Sequence, residues 1–251
     1  MKAFRQINKI VSKKELDNKI DRAVEDIKKK IKNKKVYYCW SGGKDAQAMQ
    51  FLCNLAGVKQ GILIYSDLEY PSFMRWVASN KSPNVELVHN GYTYEWLKRN
   101  QNFLFADLSN RTKEGIYYGN NFIRGPQHKF IRENKVELMI YGRRLADNNF
   151  CGSKKDGYVF YSKNLDVYIY SPMAEWTNEE TLALLHYYNI DLPPYYYWKD
   201  GFTTGTHPWF KKRTSLNTHA DHWNFLMIHE PEVIYKASEY FETPRKMLGV
   251  D

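Results

Sequence analysis

Val36-Tyr37-Tyr38-Cys39-Trp40-Ser41-Gly42-Gly43-Lys44-Asp45 opens the stretch that decides the fold, and the residues as far as Tyr65 complete it. Val36 to Trp40 is β-branched and aromatic, as a strand requires; Asp45 to Ala56 carries a helical pattern that stops at Gly57; Gly61 to Tyr65 is a second apolar strand. Strand, loop, helix and strand in this order form a βαβ unit, which joins neighbouring parallel strands. Further on, Pro71 to Ser79 reads as a helix, Val85 to Val88 as a strand, Pro126 to Glu133 as a helix and Val136 to Tyr141 as a strand. The alternation predicts an α/β protein with a parallel sheet covered by helices.

Tyr158 to Tyr161 and Val167 to Tyr170 read as short strands or a hairpin. Thr177 with Glu180 caps a helix that ends near Asn189, before Pro193 and Pro194. Upstream, Ser12 with Glu15 makes a capping box, and Leu16, Ile20, Val24, Ile27 and Ile31 form one apolar helical stripe. Beyond Thr203 the pattern is less regular, with helices expected at Ala220 to Ile228 and Glu232 to Phe241. The expected division is a basic amphipathic helix over 1–35, an α/β domain over 36–201 and a C-terminal helical extension over 202–251.

The chain has 251 residues, 43% of them hydrophobic and 26% charged, which suits a globular protein with a substantial core and excludes disordered or collagen-like classes. No window approaches the roughly 18 consecutive apolar residues of a membrane span, and the N-terminus has no secretory pattern, so a cytoplasmic address and no membrane partner are expected. Cys39, Cys53 and Cys151 are too few and too scattered for a disulfide framework, and buried free thiols are the simplest reading. The formal charge is +9. It is unevenly spread: residues 1–35 hold 13 Lys or Arg against 5 Asp or Glu, while the rest holds 24 against 23. The lysines at 28, 29, 30 and 32 suit the carbonyl end of a helix, so a solvated helix end explains them without a nucleic acid.

The chemistry is concentrated in Ser41-Gly42-Gly43-Lys44-Asp45. Two glycines let the backbone turn tightly and approach a ligand, and the following helix start offers unpaired N–H groups and a positive dipole end. Ser41 adds a hydroxyl donor, Lys44 a cation, and Asp45 a carboxylate able to cap the helix or hold Mg²⁺. The spacing is neither Gly-x-x-x-x-Gly-Lys-Ser/Thr nor Gly-x-Gly-x-x-Gly, which excludes the two commoner phosphate loops.

This loop resembles the Ser-Gly-Gly-x-Asp-Ser of the PP-loop ATP pyrophosphatases, and within them the phosphoadenylyl-sulfate (PAPS) reductase branch. Leu68-Glu69-Tyr70-Pro71 is similar to that branch's Asp-Thr-Gly-Leu-Glu-Tyr-Pro segment, and Gly142-Arg143-Arg144-Leu145-Ala146-Asp147-Asn148 to its Gly-x-Arg-x-x-Glu-Ser. Pro172, Trp176, Tyr187 and the prolines before Tyr195 follow in the branch's order, so the resemblance spans about residues 36–201. It implies a parallel five-stranded sheet flanked by helices, of the adenine nucleotide alpha-hydrolase-like type, with the ligand at the carboxyl ends of the strands. It implies a nucleotide-binding set of Trp40, Ser41, Gly42, Gly43, Lys44, Asp45, Tyr65, Ser66, Asp67, Gly142 and Arg144. Of these, Lys44, Asp45 and Arg144 would be catalytic and Asp45 would ligate Mg²⁺.

The departures from the family pattern are specific. Ala46 stands where the loop's last Ser is expected, Tyr65-Ser66-Asp67 replaces Asp-Thr-Gly, and Asp147-Asn148 replaces Glu-Ser. Sulfonucleotide reductases of this branch use a C-terminal Glu-Cys-Gly-Leu-His nucleophile, whereas this chain has no cysteine after Cys151. Arg124-Gly125-Pro126-Gln127 offers no thiols where some relatives ligate a cluster, so no iron–sulfur cluster is expected.

The leading expectation is therefore an enzyme that takes ATP with Mg²⁺, cleaves it between the α and β phosphates and adenylates an acceptor. A sulfonucleotide (PAPS or APS) reductase or sulfur-transfer relative is the alternative, and a non-catalytic nucleotide-binding or structural module a third reading. A nucleic acid is compatible as acceptor, and a homo-oligomer is compatible with the sequence. Lys129, His219, His222 and His229, the run Tyr195-Tyr196-Tyr197-Trp198 and the cluster Trp209-Phe210-Lys211-Lys212-Arg213 have functional readings, but packing or solvation accounts at least as well for each, and is the default for the histidines and the tyrosine run.

Overall fold

A computed structural model describes residues 7–109, 111–203, 205–209 and 216–250. The helices are α1 (Ile7–Ile10), α2 (Lys13–Ile31), α3 (Lys44–Leu55), α4 (Pro71–Asn80), α5 (Tyr94–Arg99), α6 (Lys113–Tyr117), α7 (Gly125–Glu133), α8 (Asn178–Tyr187), α9 (His219–His229), α10 (Pro231–Ser238) and α11 (Glu242–Leu248). The strands are β1 (Val36–Cys39), β2 (Gly61–Tyr65), β3 (Val85–His89), β4 (Leu138–Ile140), β5 (Val159–Ser162) and β6 (Val167–Tyr170).

The strands form one sheet in the order β3-β2-β1-β4-β6-β5. β2 and β4 flank β1 in parallel, β6 runs parallel to β4, and β5 returns antiparallel on β6. The sheet thus has six strands rather than five, because the β5–β6 hairpin adds an antiparallel edge. One expected boundary also shifts. Val136 donates its N–H to Ile131 O at 2.9 Å and follows Lys135 at φ 50, so it closes the end of α7 and the strand begins at Leu138.

By its contacts the chain forms two units, each gathered from separate stretches: Met1–Leu63, Ser82–Val88 and Gln127–Leu192 in the first, Ile64–Lys81, His89–Pro126 and Pro193–Asp251 in the second. In the first, Ser12 caps α2 by accepting the Glu15 N–H, a contact worth about 1 kcal/mol in such positions. Leu16, Ile20, Val24 and Ile27 bury the helix's apolar stripe, and α2 packs on α3 and α8. Thr177 and Glu180 form the complete capping box expected for α8.

The second unit is held by aromatic packing. Tyr92 stacks on Phe122, with Trp96, Phe103 and Tyr117 around them. The 91–124 stretch, which the sequence pattern leaves unassigned, contains α5, α6 and a π-helical segment, Tyr118–Arg124, that runs into α7. Tyr195 is buried against Tyr70, Phe73 and Tyr196, so this part of the tyrosine run is packing, whereas Tyr197 is exposed. The C-terminal pattern breaks after Ser238 and resumes as α11, a helix absent from the sequence reading. Phe210, Lys211, Lys212 and Arg213 lie outside the described residues. No helix among the described residues is long and apolar enough to cross a membrane.

Candidate functional site

The strand order reverses at β1. The chain leaves β1 through α3 to reach β2 on one side, while β4 pairs on the other, so the carboxyl ends of β1 and β4 mark the switch point at which open α/β sheets form a ligand crevice. Trp40 to Gly43 enter it from β1, and Tyr141 to Asn148 from β4.

Gly42 adopts φ 70, a conformation that side chains resist, and Gly43 caps α3 with no side chain. No side chain therefore caps the first turn of α3, the helix end whose dipole favours an anion. Ser41 is exposed beside them. Trp40 is turned inward: it is buried, and its indole N–H donates to Gln47 Oε1 at 2.8 Å, while Gln47 in turn donates to the Asp191 carbonyl. Ala46 is also buried, on the packed side of the helix.

Gly142 serves a close approach. A β-carbon there would come within 2.8 Å of the Asp45 carbonyl oxygen, a backbone atom with no freedom to yield. The loop from β4 is thereby pinned against the first turn of α3.

Two residues later, Arg144 is fully buried (0% exposed). Its Nε lies 2.9 Å from Asp45 Oδ1 and 3.0 Å from Asp147 Oδ2, and a terminal nitrogen donates to Asp147 Oδ1 at 2.9 Å. Thr181 Oγ1 lies 3.5 Å from the other terminal nitrogen. The 3₁₀ turn Leu145–Asp147, closed by Asn148 at φ 56, carries Asp147 back to the guanidinium. On its other side the Asp45 carboxylate meets Lys44 Nζ at 2.7 and 2.9 Å. Two carboxylates and two cations thus interlock at the root of α3.

Arg143 points elsewhere. Its guanidinium lies 4.6 Å from the centre of the Tyr141 ring, near Cys39, which accepts a contact from Gln127 Nε2 at 3.2 Å. Burial pushes the Cys39 thiol up to about 11, against the smaller opposing pulls of Arg143 and Gln127. Burial also raises the Cys53 and Cys151 thiols.

Tyr65, Ser66 and Asp67 belong to the second unit and make contacts there. The Tyr65 ring meets His89 edge-on at 5.1 Å. Buried Ser66 turns its hydroxyl inward, accepting the Leu68 N–H at 3.2 Å, with Glu69 at 3.4 Å. Asp67 Oδ1 is 3.0 Å from His89 Nε2. The histidines near the C-terminus pack: His222 stacks on Phe105, His219 meets Phe105 edge-on, and His229 stacks on Trp198. Among the described residues no group of three or more His, Cys, Asp or Glu is arranged to hold a metal ion. Lys129 is solvent-exposed.

Of the expected site residues, the structure brings Ser41, Gly42, Gly43, Lys44, Asp45, Gly142 and Arg144 together in the first unit. Sequence reasoning missed Asp147, Gln47 and Thr181 as members of the assembly. Asp147 follows Arg144 by three residues, the spacing of one 3₁₀ turn, and Gln47 is a polar residue on the packed side of α3; both signals were readable in principle.

Searches with protein-family models and against curated proteins return no match. Among solved structures, the chain is similar to the phosphate complex of PAPS reductase from Candida auris, at TM-score 0.52 and 13% identity over 73% of this chain and 90% of that one. Lower likenesses include the U34-tRNA thiolase NcsA from Methanococcus maripaludis with its 4Fe–4S cluster, at 0.48 and 17% identity over 94% of this chain and 79% of that one. FMN adenylyltransferase from Candida glabrata scores 0.47 at 13% identity over 78% of this chain and 65% of that one. The chain has the adenine nucleotide alpha-hydrolase-like fold.

Proposed function

We propose that the crevice between the loops of β1 and β4 binds the phosphates of ATP, and that the protein cleaves ATP between the α and β phosphates to adenylate an acceptor. The observation that carries this reading is the Gly42–Gly43 turn opening onto the uncapped start of α3, with Lys44 beside it. In this reading the backbone N–H groups of the helix start, the Ser41 hydroxyl and the Lys44 ammonium supply the donors that the negative charge of a departing pyrophosphate requires. The acceptor's nucleophile attacks the α phosphorus, the bond to the bridging oxygen breaks, and pyrophosphate leaves with that electron pair. In this scheme Lys44 turns from Asp45 to the leaving group, and Ser41 Oγ donates to the same oxygens.

Arg144 takes a different part from the one the sequence implies. A guanidinium with no exposed surface does not meet a substrate; it holds Asp45 and Asp147, and through Asp45 it fixes the start of α3. We therefore assign it as a positioning residue. The donor set also fits a protein-held Mg²⁺ poorly, because both oxygens of Asp45 already face cations and Asp147 is committed to Arg144. A Mg²⁺ ion arriving with the triphosphate belongs to the substrate, and no step here runs through a protein-bound ion. The reductase alternative is disfavoured by the three thiols, all raised by burial away from the thiolate form.

The test is to incubate the protein with Mg-ATP and a panel of acceptors and to measure AMP, adenylated product and pyrophosphate. Lys44→Ala should lower the rate by about 10²-fold or more while the protein stays folded, the usual scale for removing one donor to developing charge. ATP binding without any pyrophosphate release, or Lys44→Ala turning over at the parent rate, would overturn the reading.

A further inference from the structure

The lysines that α2 carries toward β1 are not used by the nucleotide site, and the sheet gives them company. The parallel register sets Val36 beside Leu138, Leu138 beside Tyr168, and Tyr38 beside Gly61. The amino-terminal ends of β2, β1, β4 and β6 therefore lie side by side. Each is entered through exposed lysine: Lys59 before β2, Lys32, Lys34 and Lys35 before β1, Lys135 before β4, and Lys163 in the turn before β6. In the register of the β1–β2 pair, Lys59 falls level with Val36, one step from Lys35. The Lys35 carbonyl accepts the Glu137 N–H at 2.9 Å, which joins the approaches to β1 and β4 directly.

The acids at this edge are engaged. Glu137 accepts the Lys35 backbone N–H at 2.7 Å, Asp166 accepts the Tyr161 hydroxyl, and Glu133 pairs with Lys129. None of the six lysines is in an ion pair among the described residues. With neighbouring strands about 4.8 Å apart, four strand ends spread this charge along roughly 15 Å. A nucleic-acid duplex presents on the order of nine phosphate charges over that length, at one per ~1.7 Å of axis. A single nucleotide is too short to engage the row.

From this juxtaposition we propose that the amino-terminal edge of the sheet is a docking surface for the phosphate backbone of a nucleic acid, at the opposite end of the strands from the candidate nucleotide crevice. An anionic bilayer is the competing polyanion, and α2 argues against it. A helix that lies on a membrane buries an apolar face in the acyl boundary, whereas Leu16, Ile20, Val24 and Ile27 are buried within this protein. Lysine ammonium groups contact phosphates as point charges, so the surface reads backbone rather than base sequence. The proposal is independent of the adenylation reading: the lysines serve equally to hold a nucleic-acid acceptor or one that is never modified.

The experiment measures binding of the full chain to a fluorescein-labelled RNA hairpin and to a DNA duplex of the same stem sequence, by anisotropy between 50 and 200 mM salt. Vesicles of phosphatidylcholine with 30% phosphatidylserine form a parallel arm. The combined variant Lys32→Gln, Lys35→Gln, Lys59→Gln and Lys135→Gln should weaken nucleic-acid binding at least ten-fold at 50 mM salt. The slope of log K against log salt on the DNA duplex should fall by about 3.6, the value for four lost phosphate contacts. A control with Lys98→Gln, Lys113→Gln, Lys236→Gln and Lys246→Gln matches the charge removed and should keep the parent slope. Circular dichroism verifies that both variants are folded. Binding of RNA, DNA or both with this dependence supports the proposal. No binding by the parent, equal losses in the two variants, or binding to the vesicles alone overturns it.

Discussion

Arg144 in the first unit and Glu230 in the second are both buried charged side chains, and the two units accommodate them differently. Arg144 in the first unit is compensated by formal charge, held between the carboxylates of Asp45 and Asp147. Glu230 in the second is compensated mainly by hydrogen bonds: at 3% exposure its carboxylate accepts the Ser72 N–H at 3.0 Å, caps the start of α4 and takes the Ser72 hydroxyl, with Arg75 no nearer than 3.8 Å. Burial raises the Glu230 carboxyl above its ordinary value, with the Ser72 bonds and Arg75 opposing. A charge neutralised by opposite charges depends on those partners for its place in the interior. A charge held by dipoles is open to protonation.

The largest effect is expected where the paired charge is removed. Arg144→Met removes the buried guanidinium and leaves the partly exposed Asp45 and Asp147 carboxylates facing each other, which should cost about 2–3 kcal/mol, lowering the melting midpoint by roughly 5–10 °C. Adding Asp147→Asn should recover part of that loss, because the repulsion is relieved. If Arg144→Met melts with the parent protein, charge pairing is not what holds the first unit's loops. Gly142→Ala comes next, since a β-carbon would press on the Asp45 carbonyl; overpacking of this kind costs about 1–3 kcal/mol. Its denaturant midpoint should fall without a change in m-value.

The smallest effect belongs to Glu230→Gln, and its sign is specific. With a folded-state pKa above the unfolded one, the native protein binds more protons between the two values. The Glu230 contribution to stability is thus most favourable below the ordinary glutamate value and declines as pH rises through the raised one. The stability difference between parent and Glu230→Gln should therefore shift against the parent as pH goes from 4 to 7. A difference independent of pH would remove the contrast with Arg144.

The contrast also marks what the sequence could convey. The strand–glycine–helix passage from Val36 to Leu55 was legible because its signals are local: apolar run, two glycines, helical period. The Ser12 cap of α2 and the capping box of α8 were legible for the same reason. The inward role of Arg144 was not, because the motif shows an arginine at the end of a strand and not the two carboxylates that enclose it. Nor was the hairpin's place in the sheet, since a short strand carries no mark of its neighbour. The second unit was least legible: Glu230 meets Ser72 across 158 residues of chain, and Trp209 donates to the Leu68 carbonyl across 141. No window of sequence spans such pairs.

That interleaving governs how the protein can be made. The second unit takes residues from three separate stretches of the chain, and its last stretch supplies Glu230 to cap α4 and Trp209 to hold the loop after β2. As the polypeptide leaves the ribosome, α4 and that loop are synthesised long before their partners, so they wait incomplete until the C-terminal residues emerge. Cutting the chain at residue 202 would not release a finished domain. It would strand the middle of the chain in its half-built state, exposed to chaperones and proteases.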